Sequence, residues 1–337
     1  MTKAFTFSIR LNNDLRIDEY VALARRAEAF GFDQFWISND LFLKSAPILL
    51  SAVAGATGRI GIGTAILNPF TMNPSEIAMM AATLDELSEK RFHLGLAAGA
   101  SEFIKWVGVE YRSPLAAVRE SVAAIRRLLR GEAGVEASTL PWTKDAYLRF
   151  HAPRVTPIYI GAMGPAMLRL SGEIGDGALP LLLPPEHYFT VRPLLEEGMK
   201  RRDPTLGPID FACCIWVSLS KDAEASRRVL AEKIAYYGSA LSPLILERLS
   251  LTREDFAIIE RVVTEERDMD KAASLVDERM LRIGVVGGAK DVIERLEPLV
   301  AAGARHLSFG PPLGPDPLEA VEILGREVLP HFLDTQS

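Results

Sequence analysis

Eight times along this chain a short run of β-branched and apolar residues ends in turn-forming residues and gives way to a longer stretch with helical spacing. That beat restricts the fold more than any single motif does. The runs begin with Phe5, Phe7 and Ile9 alternating with polar neighbours. They continue as Phe32–Ser38, Arg59–Leu67, Phe92–Ala98, Pro157–Ala162, Gly177–Leu183, Phe211–Leu219 and His306–Phe309. Predicted helices fall between them, from Asn12–Asp14 to the stop at Gly31, then over 46–56, 75–88, 115–129, 165–174, 186–202, up to Ala302, and over 318–329. Ser75 offers a hydroxyl cap and Glu76 a first-turn charge. Eight strands alternating with helices is the count of an α/β fold closed as a (β/α)8 TIM barrel. The competing open doubly wound sheet has fewer strands and a glycine-rich first turn, whereas the first turn here is Leu11-Asn12-Asn13-Asp14.

The pattern lapses over 131–157, which reads as a long surface connection. The segment from Lys221 to Leu281 is too long and too helical for a loop and reads as an added helical excursion. A length of 337 residues suits two average domains, but α/β barrels reach it as one. We therefore expect a single domain over 1–337 with a helical insertion at about 221–281, before the last strand.

Charge and composition narrow the function. A net charge of −6 without a long basic run argues against nucleic acid as a partner. The first ten residues alternate polar and apolar instead of forming a signal peptide, and no stretch approaches the roughly 18 unbroken apolar residues of a membrane span. Cys213 and Cys214 are neighbours whose side chains point to opposite faces of a strand, which suits buried thiols in a reducing cytoplasm. No HExxH, paired CxxC or GxSxG pattern occurs, so neither a metal site nor a serine nucleophile is expected.

In a barrel, chemistry sits where strands end. His93 and His306 stand at strand starts, His331 at the C-terminus and His151 in the irregular connection. Only His187 comes just after a strand end, with a surface or capping role as its plainer reading. Strand ends supply Arg10, then Ser38-Asn39-Asp40, then Thr64 to Asn68, then Ala97 to Glu102, then Gly161 to Gly164. Small side chains and exposed backbone of this kind suit a flat, apolar, multi-ring ligand. The turn Gly161-Ala162-Met163-Gly164-Pro165 opens a helix whose free N–H groups can hold a phosphate, or it is merely a tight strand-to-helix turn. Thr64 is likewise either part of that surface or a strand residue satisfied by backbone.

Three stretches carry a resemblance. IGIGTAILNPFTMNP with AATLDELSEKRFHLGLAAGASE, PIYIGAMGPAMLRLSGEIGDGAL, and HLSFGPPLGPDPLEAVEILGREVLP are similar to the luciferase-like superfamily of flavin- and deazaflavin-dependent oxidoreductases. They most resemble the branch that includes methylenetetrahydromethanopterin reductase. The resemblance covers most of the chain, the segment 221–281 least.

It implies a strand bulge with a non-proline cis peptide at Ala65–Ile66 supporting the cofactor ring. The cofactor-binding residues it suggests are Ser38, Thr64, Ala65, Ile66, Asn68, Gly99, Ala100, Ser101, Gly161, Ala162, Met163 and Gly164. Catalytic candidates are Asp40, Asn39 and Arg10, with Glu102 a further possible acid. Two departures stand out. A glutamate proton donor near the end of the first strand is here Arg10, which cannot donate at neutral pH. An aspartate-histidine pair after the second strand is here Asn39-Asp40. The implied activity is hydride exchange between the deazaflavin coenzyme F420 and an unidentified small-molecule substrate, in a homo-oligomer, dimer or larger. The alternatives are a reduced-FMN monooxygenase and a non-catalytic flavin-binding protein.

Overall fold

The apolar runs pair in parallel because both of their faces are covered, by helices outside and by packed side chains within. The computed structural model describes residues 5–134, 138–139 and 145–334. Its strands are β1 Thr6–Leu11, β2 Gln34–Ile37, β3 Gly61–Thr64, β4 Phe92–Leu96, β5 Ile158–Ile160, β6 Gly177–Ala178, β7 Asp210–Leu219, β8 Val285–Gly287 and β9 His306–Leu313. The ring runs β1-β2-β3-β4-β5-β6-β7-β9 and closes on β1, every pairing parallel. The eight ring strands are the eight anticipated runs, and the fold is the expected TIM barrel.

The ninth strand, β8, lies outside the ring. The ten-residue β7 pairs with β6 at Asp210 and Phe211 and with β8 at Val217 to Leu219. Sequence reading missed β8 because three residues, the last a glycine, carry no visible alternation.

Inside the barrel the side chains form layers. The alternating glycines of Ile60-Gly61-Ile62-Gly63 make room for large neighbours: a Cβ on Gly63 would fall 2.3 Å from the Trp36 ring, and one on Gly61 would fall 3.0 Å from His93 Nε2. Trp36, Ala65, Tyr159, Leu179 and Ala212 pack together in the middle. Below them, His306 Nδ1 is 2.8 Å from Asp210 Oδ2 and His306 Nε2 is 2.8 Å from Ser8 Oγ, while the Tyr159 hydroxyl donates to Asp210 at 2.6 Å. Burial pushes the Asp210 carboxyl up, but His306 and Tyr159 outweigh it and hold it below the usual range. Ser8, His306 and Asp210 have the order of a hydrolytic triad, yet they sit at the strand starts with Ser8 and His306 buried, so they seal the barrel floor. His93 joins this layer against Trp36 and Tyr159, as its position at a strand start implied.

Local details differ from expectation. The first helix runs Ile17–Ala29 and starts three residues late, because Asn13 is pinned to the carbonyls of Asp40 and Lys44. The helix Pro74–Leu87 is capped by Asn73, whose Oδ1 accepts from the Ser75 amide and hydroxyl, so Ser75 does not cap it. A short helix, Ser101–Trp106, follows β4 where a loop was expected. β6 stops at Ala178, and a 3-10 turn, Pro185–His187, precedes the helix Tyr188–Met199. The described part of 131–157 holds no strand or helix beyond a turn. The segment after β7 is helical, beginning with Ala223–Tyr237 and ending with Glu278–Leu281. It builds a second apolar core that meets the barrel at Leu182 and Trp216. No helix among the described residues is long and apolar enough to cross a membrane.

Candidate active site at the barrel mouth

The mouth is assembled from the ends of β1, β2, β3, β4, β5, β7 and β9, and small residues dominate one side of it. β3 leads into Ala65, and the Ala65–Ile66 peptide is cis, the bond at which the resemblance placed it. Ala65 faces inward with Trp36 and Leu179, and Ile66 packs half-buried beside it. Opposite, a Cβ on Gly161 would lie 2.9 Å from Ala97 Cβ and 3.0 Å from Ile66 Cγ2. A Cβ on Gly95 would strike the Thr64 carbonyl oxygen at 1.9 Å. The backbones of β3, β4 and β5 therefore approach as closely as glycine and alanine permit, and a ring lying over them meets main chain.

Two loops beyond this surface open helices. Gly99, at φ +77°, and Ala100 lead to Ser101, where Ala100 is the N-cap. Gly161, Ala162 and Met163 lead to Gly164, the N-cap of the helix Pro165–Ile174, with Pro165 in its first turn. A Cβ on Gly164 would meet nothing within 4 Å, so the cap position of that helix is open. Met163 turns the other way and packs against the second core.

Several sequence candidates have structural duties. The Thr64 hydroxyl donates to the Gly95 carbonyl and accepts from the Gly95 amide, clamping β3 to β4. Asn68 Oδ1 takes the Phe70 and Thr71 amides and the Thr71 hydroxyl, which builds the turn. Asn39 Oδ1 accepts from the Ala46 amide at the start of the second helix. Ser38 is buried at the end of β2, its amide bonded to the Leu11 carbonyl. Glu102 is exposed on the short helix after β4. His187, the one histidine expected near the working face, is buried with Nδ1 unpartnered, and burial lowers its pKa to about 4.

Arg10 and Asp40 are near enough for the arginine's charge to act on the carboxylate. Arg10, 3% exposed, crosses the barrel top and donates from Nη1 to the Pro180 carbonyl at 2.8 Å and from Nη2 to the Ala65 carbonyl at 3.2 Å. Its guanidinium thus holds the bulge that carries the cis bond. Asp40 keeps contact with solvent, yet the protein crowded around it raises its pKa, against the pull of Lys233 and Arg10.

Sequence reasoning missed four residues here: Cys214 and Trp216 on β7, and Lys233 and Tyr237 on the helix Ala223–Tyr237. Lys233 Nζ lies 4.4 Å from the Tyr237 ring centroid, 5.2 Å from that of Trp216, and 3.3 Å from Asn12 Oδ1. Only their position on an inward strand face could have singled out Cys214 and Trp216; nothing local marks Lys233. Trp216 Nε1 is buried without a hydrogen-bond partner among the described residues.

A cavity of about 560 Å³ lies beside the mouth, between the loops after β1 and β9, and is lined by Asn12, Asp14, Asp18, Glu19, Pro312 and Asp316 among others. It is a groove on the barrel wall with an acidic rim. The chemistry-bearing side chains converge on the mouth, so the mouth is the better candidate. No group of three or more His, Cys, Asp or Glu among the described residues could hold a metal ion.

Comparison with known proteins gives the following. Residues 4–306 match the model of a family described as luciferase-like monooxygenase. The 5,10-methylenetetrahydromethanopterin reductase of Methanopyrus kandleri is 30% identical, over 97% of this chain and 98% of that protein. The F420-dependent glucose-6-phosphate dehydrogenase of Microbacterium testaceum is 29% identical, over 91% and 90%. The solved coenzyme F420 dependent tetrahydromethanopterin reductase from Methanopyrus kandleri superposes with a TM-score of 0.88 at 28% identity, covering 98% of this chain and 100% of that one.

Proposed function

The chain belongs to the luciferase-like monooxygenase family, and from that premise we propose that it is an oxidoreductase exchanging a hydride between coenzyme F420 and a small organic substrate at the barrel mouth. The observation that carries this reading is the cradle where Ile66, Ala97 and Gly161 leave no room for another methyl group. The proteins named for F420, a tetrahydromethanopterin reductase and a glucose-6-phosphate dehydrogenase, support the cofactor more than any substrate.

Within this reading, the backbone at Ala65–Ile66 and the face of Gly161 hold the tricyclic ring, and the amides at Gly161 to Gly164 hold its phosphate. When bound, the deazaflavin supplies the two-electron hydride chemistry. The protein's own part is to fix the ring's face, with Arg10 locking the Ala65 carbonyl, and to exclude water below it through the closed layer of Trp36, Tyr159 and Leu179. Arg10 and Asn39-Asp40 replace the acid and the histidine that the resemblance leads one to expect, which argues against a methanopterin substrate. Residence in the cytoplasm and assembly as a dimer or larger belong to the same proposal. The two free, buried cysteines suit the first, and light scattering checks the second.

Titration of the purified protein with F420 and with FMN, followed by absorbance and fluorescence, tests the cofactor. F420 bound in preference to FMN is expected. FMN bound alone, with oxygen uptake in the presence of substrate, would point to a monooxygenase, and binding of neither would overturn the reading.

A further inference from the structure

A hydride exchange needs a proton donor and acceptor, and of the strand-end candidates only the carboxylates of Asp40 and Glu102 titrate. Arg10 is committed to two carbonyls and does not deprotonate, and the amide of Asn39 cannot titrate. Lys233 stands where such a group is needed. Its ammonium reaches from the helical excursion to the end of β1, held between the Tyr237 and Trp216 rings, with one contact to Asn12 Oδ1. An ammonium has three donors, so two are left for the rings or an incoming ligand. Beneath it Trp216, 1% exposed, keeps an unpartnered Nε1, and Lys233 itself is only half-buried.

We propose that Lys233 delivers and takes up the substrate proton during hydride exchange; this rests on the oxidoreductase reading above. In the reducing direction a hydride adds with its electron pair to the carbon of a substrate C=O or C=N bond. The π pair moves to the heteroatom, which takes one proton from Lys233 Nζ. The neutral amine is then reprotonated from water. Oxidation is the reverse, Nζ accepting the proton as the hydride leaves. The charged and titratable groups acting on Nζ are Asp40 and Asp14 in the loops after β2 and β1, Arg10 on β1 and Cys214 on β7. Burial lowers the lysine most, the carboxylates oppose it and Arg10 adds to it, leaving a pKa of about 8. A group poised there changes charge near working pH.

The test begins without cofactor. The protein is treated with trinitrobenzene sulfonate across pH 6–11, and labelling of the Lys233 peptide is quantified by mass spectrometry. A midpoint near 8 is expected, moving lower still in Asp40→Asn; a midpoint at the ordinary lysine value of about 10.4 would overturn the proposal. With reduced F420 and a panel of ketones, aldehydes and cyclic imines, Lys233→Met and Lys233→Arg should both lose turnover by roughly 10²- to 10⁴-fold while F420 fluorescence quenching is kept. Lys233→Arg with wild-type turnover and pH profile would overturn it, since arginine keeps the charge but releases no proton. Wild-type protein that fails to bind F420 would overturn the cofactor reading and the hydride step with it. F420 binding alongside an ordinary Lys233 midpoint would remove the lysine assignment alone.

Discussion

Arg10 shows how one side chain ties the fold to the site. Replacing it with Met leaves the Ala65 and Pro180 carbonyls without their donor, and each buried unsatisfied group costs about 1–3 kcal/mol. Arg10→Met should therefore lower stability by roughly 2–6 kcal/mol, read from the urea midpoint, and weaken F420 binding at least about tenfold by loosening the bulge. Arg10→Lys should not restore either, because a single ammonium lacks the fork that spans both carbonyls. Unchanged stability and affinity would mean that the arginine merely fills space. At this scale the sequence was informative about backbone and poor about side chains. The cis bond at Ala65–Ile66 was legible through the resemblance of the stretch around it, and the strand-to-helix turn at Gly161 through its glycines and Pro165. Thr64, Asn68 and Asn39 were equally visible but are spent on Gly95, Thr71 and Ala46, partners that only the folded chain supplies. Lys233 was not legible, since its neighbours Asn12 and Trp216 lie far from it along the chain.

The strand ends behave as a unit. Because β3, β4 and β5 meet through Gly95, Ala97 and Gly161, adding one methyl group at Gly161 must displace Ile66 or Ala97. Gly161→Ala should cost about 1–3 kcal/mol of stability, measured by urea denaturation, and Gly161→Val more, with F420 quenching lost before the fold is. Retention of full quenching in Gly161→Val would place the ring elsewhere. The eight ring strands were readable because both faces of each are buried, which writes short runs dominated by apolar and β-branched residues. β8 was not, being three residues paired along one edge of β7. Helix starts were misread where an asparagine had a better partner: Asn13 holds the next loop and Asn73 takes the cap assigned to Ser75.

Across the whole molecule, stability depends on keeping imidazoles neutral. His93 and His187 both have pKa values lowered to about 4, chiefly by burial, against about 6.5 in an unfolded chain. Below pH 6.5 the unfolded chain binds protons that the folded one refuses, so stability should fall from pH 6.5 toward 4 and be flat in this respect above 6.5. Urea midpoints at pH 7.5, 6.5, 5.5 and 4.5 check the sign, and a rise toward acid would contradict it. We further propose that residues 1–337 form one domain, because Trp216 and Leu182 belong both to the barrel and to the core of the excursion. A single calorimetric transition is expected, and two separated ones would divide the chain after β7. The most direct measurement is a crystal structure grown with F420. The ring should lie on the Ala65–Ile66 backbone with its phosphate at Gly161 to Gly164. A ring seated in the groove between the loops after β1 and β9, or absent at saturating coenzyme, would contradict the assignment of the mouth.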